Sequence, residues 1–361
     1  MTRLVTAESV TRGHVDKVAD QISDAILDAH LAQDQFARVA VEALVYGGGV
    51  HVAGEVTSLA EVNVSAVVRS VYADIGYDPP AKILSSVRLQ SADCARSVQQ
   101  GAGDQGSMVG YATAETSALM PLSIMLAHEL ARHLDDAHSV LPWLRPDGKV
   151  QVTVEYGAVN QVRVHEVVVN AQVADGTSQR EVAATILELV IQPALAASRV
   201  DAMGCRMLVR PFLVGGPAGD TGLTGRKVIV DSYGPGVPHG GGAFSGKDPS
   251  KMDRSGAYAA RWVAKSVVAG GLADTCLVQL SYVAGRAEPV AVTVAPADVT
   301  GWVRDTFDLR PTAIIDALDL RRPIYQRTAT YGHFGRPEFP WEQASSAAAQ
   351  AALHGPVLKI I

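Results

Sequence analysis

Val39-Ala40-Val41-Glu42-Ala43-Leu44-Val45, Tyr46-Gly47-Gly48-Gly49 and Val50-His51-Val52-Ala53-Gly54-Glu55-Val56 follow one another without a break, and their reading decides the fold. Two β-rich runs around a glycine turn predict a hairpin. Working outward, Val18, Ile22, Ile26 and Ala29 recur at helical spacing and predict a helix from about Asp16 to Leu31 ahead of it. A second helix, Leu59 to about Ile75, is expected after it. Glu42 and Glu55 interrupt otherwise apolar strands. Such acids either face solvent or bind a cation or an ammonium, and periodicity does not choose between the two.

The same order returns twice. A helix around Leu119 to Leu134 should precede strands Val150–Tyr156 and Val162–Val169 and a helix around Gln179 to Leu195. A helix from Pro249 to about Ala269 should precede strands Leu277–Val283 and Val290–Val294 and a helix around Ala297 to Phe307. The repetition predicts an α/β (α+β) protein of three similar helix–hairpin–helix domains with pseudo-threefold symmetry, at 1–100, 101–222 and 223–361. Polar, aperiodic residues 90–100 read as a mobile loop between the first two.

A chain of 361 residues fits two or three ordinary domains. With 31 Lys+Arg against 37 Asp+Glu the net charge is -6, which attracts neither nucleic acid nor an anionic membrane. Cys94, Cys205 and Cys276 lie far apart, so neither a disulfide framework nor a zinc site is expected. The first residues lack an apolar core, and no run approaches the ~18 apolar residues that span a bilayer. These features predict a cytoplasmic protein.

The chemistry concentrates in Gly240-Gly241-Gly242-Ala243-Phe244-Ser245-Gly246-Lys247-Asp248-Pro249-Ser250-Lys251-Met252-Asp253. Glycines admit a ligand to the backbone, Lys247 and Lys251 offer charges for phosphate or carboxylate, and Asp253 can hold a cation. Asp248 is expected to cap the following helix, with Pro249 in its first turn. Gly241 to Lys247 matches part of a P-loop, but Asp248 stands where Ser or Thr must follow, and no strand leads directly into the glycines. Gly101-Ala102-Gly103-Asp104-Gln105-Gly106 matches a dinucleotide fingerprint in letters only, since no strand precedes it. Adjacent Arg226 and Lys227, read as a strand start, can grip successive phosphates, with Asp220 available to an amino group or a ribose hydroxyl. On the first helix Asp20, Asp24 and Asp28 read as a solvated face, whereas Asp16 crowds with His14 and Lys17 at the helix entry.

Six motifs together resemble the S-adenosylmethionine synthetase (methionine adenosyltransferase) family: Gly-His-Val-Asp-Lys at 13–17, Gly-Ala-Gly-Asp-Gln-Gly at 101–106, Leu-Pro-Trp-Leu-Arg-Pro-Asp-Gly-Lys at 141–149, Gly-Asp-Thr-Gly-Leu-Thr-Gly-Arg-Lys at 219–227, Gly-Gly-Gly-Ala-Phe-Ser-Gly-Lys-Asp-Pro-Ser-Lys at 240–251 and Tyr-Gly-His-Phe-Gly-Arg at 331–336. The resemblance implies a cytoplasmic enzyme that joins ATP and L-methionine and cleaves the tripolyphosphate left behind, using Mg2+ with K+ as activator. It implies homodimers with shared active sites, two dimers commonly forming a homotetramer. By position in the motifs, His14, Lys149, Arg226, Lys227 and Lys247 would contact the phosphates, Asp16 and Asp253 would hold magnesium, and Glu42 would ligate K+. Phe212 would stack on adenine with Asp147 beside the nucleotide. Glu55, Gln90, Asp104, Asp220 and Lys251 would hold methionine or its junction with adenosine.

The chain departs from that family pattern. Arg12 replaces an acid beside the metal ligand, Val15 replaces a proline, and Pro211 replaces an arginine ahead of Phe212, with Arg210 next to it. The span from Tyr77 to Gly101, which contains the family's gate loop at about 90–100, is shorter than usual. These changes leave a non-catalytic paralogue that binds nucleotide or a partner subunit as the rival reading. They also suggest slower turnover or a wider tolerance of S-alkyl groups.

Overall fold

The computed structural model describes residues 2–90, 101–157 and 161–345. Its strands are β1 (Arg3–Val10), β2 (Arg38–Tyr46), β3 (Gly49–Thr57), β4 (Lys82–Arg88), β5 (Gly106–Thr113), β6 (Leu144–Tyr156), β7 (Val162–Val173), β8 (Arg206–Phe212), β9 (Gly222–Leu223), β10 (Thr275–Tyr282) and β11 (Ala291–Ala295). The main helices are α1 (Val15–Leu31), α2 (Val64–Ile75), α3 (Leu122–Ala137), α4 (Gln179–Ile186), α5 (Gln192–Ser198), α6 (Met252–Ala269), α7 (Thr300–Thr306) and α8 (Pro311–Ala317). A π-helical turn, Leu187–Ile191, joins α4 to α5. The whole run Gln179–Ser198 is long and apolar enough on average to cross a bilayer. It instead lays Val182, Ile186, Val190, Ile191, Ala194 and Leu195 into the core under β6 and β7.

The predicted hairpins form as β2–β3, β6–β7 and β10–β11, preceded by α1, α3 and α6. No sheet is built from one contiguous segment, because the strand ahead of each of those helices crosses to another hairpin. β1 pairs with β6, β5 pairs with β10, and β9 pairs with β2. The resulting sheet orders are β1-β6-β7-β8, β11-β10-β5 and β4-β3-β2-β9. The crossings satisfy backbone groups that each hairpin would otherwise leave at an open edge.

Alternation sets the first sheet. Val39, Val41, Ala43 and Val45 are buried on one face in the core that also contains α1, while Glu42 and Leu44 are exposed on the other. Glu42 sits opposite Ala53 and Glu55 opposite Ala40, so the two acids are diagonal neighbours on one face rather than direct partners. Gly54 (φ +146°) permits this register, since a Cβ there would lie 2.1 Å from the Ala40 carbonyl oxygen.

Three local expectations are corrected. Asp20, Asp24 and Asp28 do not form a solvated face. Asp20 accepts from the Gly225 N–H at 2.8 Å, Asp24 pairs with Arg254 at 2.7 and 2.8 Å, and Asp28 accepts from the Tyr325 and Gln326 N–H groups. Segments more than 200 positions away cover that side of α1, and their donors offset the burial of the acids. Asp248 does not cap α6, which begins at Met252 beyond Pro249. Its carboxylate instead accepts from the Val39 N–H at 2.7 Å and the Ser250 N–H at 2.9 Å. Val228–Asp231 is a single helical turn rather than a strand, closed by the Asp231 N–H on the Lys227 carbonyl at 2.8 Å.

Candidate functional site

The loop after β8 folds over the N-terminus of α1. Gly222 makes the approach possible, since a Cβ there would sit 2.3 Å from the Val15 carbonyl oxygen. His14 caps the helix, its Nδ1 accepting from the Asp16 N–H at 3.2 Å. Asp16 accepts from the Leu223 N–H at 3.1 Å and pairs with the Lys227 Nζ at 2.5 Å, and Arg226 Nε lies 3.6 Å away. Burial works to raise the Asp16 carboxyl, but the hydrogen bond and charge of Lys227 outweigh it and hold the group below its ordinary value. Burial, then the charge of Lys227, lowers His14 to about 4, so it is a neutral imidazole near pH 7. Lys149 also acts on His14 electrostatically, and its Nζ rests 2.5 Å from Glu8 on β1.

Beneath this surface lies an ion cluster that motif spacing does not reveal. Lys17 Nζ stands 2.8 Å from Asp20 and 2.5 Å from Asp231, with all three residues buried. Burial disfavours the Lys17 charge, but Asp20 and Asp231 outweigh it and raise its pKa; burial pushes Asp231 up to about 7 against the pull of Lys17. These shifts pull the same pair in opposite directions, and the 2.5 Å contact favours the charged form. Glu8 and Asp231 carried no signal in the sequence, because one faces out of a strand and the other ends a turn. The cluster ties α1 to the turn behind Arg226 and Lys227.

Asp147 accepts from the Gly216 N–H at 2.7 Å. Burial raises its pKa and the nearby Asp220 charge adds to the effect. A Cβ on Gly215 would touch Phe212, Asp147 and Gln172, so the aromatic ring and the carboxylate border one recess. Tyr77 closes its other side, donating to the Gly13 carbonyl at 2.8 Å and standing 2.1 Å from where a Gly216 Cβ would be. On β8 Arg210 and Phe212 share a face and Pro211 lies on the other. Arg12 turns to Asp135 on α3 (Nε to Oδ2, 3.1 Å), so it forms its own ion pair instead of confronting Asp16.

The remaining candidates make other contacts. Lys247 Nζ pairs with Asp253 at 2.6 Å and Lys251 with Asp248. Glu42 and Asp104 are exposed and Glu55 is half-buried. The Gln90 N–H donates to Thr57 Oγ1 at 3.3 Å at the end of β3, while the rest of the gate loop expected at about 90–100 lies outside the described residues. Among the described residues no side-chain hydrogen bond or ion pair joins His14, Asp16, Asp147, Lys149, Phe212, Asp220, Arg226 or Lys227 to Glu42, Glu55, Gln90, Asp104, Lys247, Lys251 or Asp253. These side-chain contacts thus leave the candidates in two groups with no bond between them.

No group of three or more His, Cys, Asp or Glu side chains able to hold a metal occurs among the described residues. Asp16 and Asp253 each offer hard oxygen donors beside a cationic side chain. That suits Mg2+, which is usually held by one or two carboxylates plus substrate phosphates and water.

Models of three domains match the chain: the S-adenosylmethionine synthetase N-terminal domain over residues 2–100, the central domain over 99–213 and the C-terminal domain over 214–343. An S-adenosylmethionine synthase 1 from Frankia casuarinae is 51% identical over 397 aligned positions, covering 98% of this chain and 99% of that protein. An S-adenosylmethionine synthase from Parafrankia sp. is 50% identical, covering 97% and 98%, and one from Salinispora tropica is 50% identical, covering 96% and 97%.

Proposed function

The chain belongs to the S-adenosylmethionine synthetase family, and we propose how its residues divide that family's reaction. It is a methionine adenosyltransferase, forming S-adenosylmethionine from ATP and L-methionine with cleavage of the tripolyphosphate to pyrophosphate and phosphate. The thioether sulfur is already a neutral nucleophile, so attack on the ribose C5′ needs no general base. The neutral, cation-flanked His14 fits a phosphate contact better than a proton acceptor. The barrier lies in the leaving polyphosphate, where preorganised positive charge acts most strongly. Lys149, Arg226 and Lys227 supply that charge from one half-site, with His14 beside them as a neutral hydrogen-bond donor, and Lys247 supplies it from the other.

Each acid proposed for magnesium is paired with a lysine proposed for phosphate, Asp16 with Lys227 and Asp253 with Lys247. Both lysines are thus stored at the edge of the polyphosphate site. Bound Mg2+ would neutralise phosphate oxygens, and K+ at the exposed Glu42 would add a second, static charge. Phe212 takes the adenine face and Asp147 stands beside the nucleotide. Glu55, Gln90, Asp104, Asp220 and Lys251 hold methionine or its junction with adenosine. The non-catalytic alternative, motivated by Arg12, Val15 and Pro211, gains no support: relatives about 50% identical over nearly the whole chain are S-adenosylmethionine synthases, and Arg12 is paired with Asp135.

The separation of the candidates into two groups within one chain carries the further proposal that sites are completed across a homodimer, which can pair again as a tetramer. Divisions near 100 and 222 and an approximate threefold relation among the helix–hairpin–helix units complete this reading. The test mixes Lys227→Met and Lys247→Met chains, each inactive alone. Random pairing should restore about a quarter of wild-type S-adenosylmethionine formation, because one site in each mixed dimer is intact. No recovery in verified mixed dimers means that the half-sites do not meet across subunits. Measuring pyrophosphate and phosphate in equal amounts with the adenosyl product checks the reaction itself.

A further inference from the structure

A small cleft of about 90 Å³ lies between the start of β2, the Asp248-Pro249-Ser250 turn and the start of α8. It has no part in the reading above. Arg38 lines it, with Nη1 buried and no hydrogen bond or ion pair for the guanidinium among the described residues. Ser250, only 8% exposed, lines the same cleft with its hydroxyl buried and unpartnered. Arg321 lines it as well, beside Gln35 and Thr312; its guanidinium lies 5.4 Å from the Phe36 ring centroid and pairs with Asp316.

The one acid lining the cleft makes no hydrogen bond or ion pair with Arg38. Asp248 already accepts from the Val39 and Ser250 N–H groups and from Lys251. A buried guanidinium N–H without an acceptor is costly, and so is a buried hydroxyl. Two arginines and a buried hydroxyl line this small cleft, which has room for a few waters or a compact anion.

We propose that this cleft binds a small oxyanion of orthophosphate size, held by Arg38, Ser250 and Arg321. The occupant would sit on the far side of the Asp248 carboxylate that fixes Lys251. Binding rests on these residues alone and does not depend on the assignment of the catalytic half-sites.

Equilibrium dialysis with labelled orthophosphate at fixed ionic strength tests it, using full-length Lys227→Met protein to weaken the polyphosphate half-site. One phosphate per chain should remain bound. Arg38→Gln in that background should weaken it roughly tenfold or more, as expected for a lost charged hydrogen bond, and Ser250→Ala should weaken it several-fold. If Arg38→Gln fails to fold, Ser250→Ala and Arg321→Gln decide. No binding to Lys227→Met protein, or binding that these substitutions leave unchanged, overturns the site and shows that any phosphate belongs to the catalytic residues or that the cleft holds only water.

Discussion

Lys227 and Asp16, 211 positions apart, meet with Nζ 2.5 Å from Oδ2. The contact joins the α1 entry to the Arg226-Lys227 turn, the place where we propose that phosphate charge is met. Asp16→Asn and Lys227→Met should each lower kcat by roughly 10²–10³-fold, the scale for removing a preorganised charge from a transition state. Far-ultraviolet circular dichroism should not change. Activity within a few-fold of wild type would exclude both assignments.

Acid should destabilise the fold through its buried histidines. Burial, then the charge of Arg132, lowers His128 from 6.5 to about 3, and burial, then the charge of Arg254, holds His333 well below its ordinary value. Between the folded and unfolded pKa values the unfolded chain binds more protons, so stability is present above about 6.5 and is lost as pH falls toward the folded values. Thermal midpoints should drop between pH 6.5 and 4, and His128→Gln should flatten that slope. An unchanged slope would show that His128 does not carry it.

Arg254 and Asp24 form a fully buried pair with two contacts at 2.7 and 2.8 Å, and Arg254 also lies over the Tyr325 ring. Removing one partner strands the other charge, so Arg254→Met or Asp24→Leu should each cost about 3–5 kcal/mol in urea unfolding. The double replacement should recover part of that loss. If both singles stay within about 1 kcal/mol of wild type, the pair does not hold α1 to α6.

Arg12 pairs with Asp135, whose carboxyl is raised by burial and lowered by Arg12. Arg12→Glu should therefore destabilise, since it places two carboxylates together, and Arg12→Glu with Asp135→Arg should restore the thermal midpoint. A single Arg12→Glu as stable as wild type would mean that the pair is dispensable.

The shortened span before Gly101 leads us to expect a weaker grip on the methionine side chain. The ratio of kcat/KM for methionine to that for ethionine should lie within about tenfold, at the low end of the roughly 10–200-fold by which a pocket discriminates one methylene. A strong preference for methionine at ordinary turnover removes the idea.

Hairpin alternation, helix periodicity and the order of motifs were legible in the sequence because each depends on residues only a few positions apart. Glu42 facing outward from β2 and His14 at a helix entry follow from that local geometry. Tertiary structure decided the rest. Asp20, Asp24 and Asp28 have the spacing of a wet helix face, and only the return of Gly225, Arg254 and Tyr325 to that face makes it an interior. Arg12 read as an intruder on a metal site until α3 brought Asp135 beside it. The crossing of β1, β5 and β9 into other hairpins has no local signature either, because strand pairing is set by which edges remain open. Residue chemistry thus came from the sequence, and long-range closure decided which charges are buried, paired or left facing a ligand.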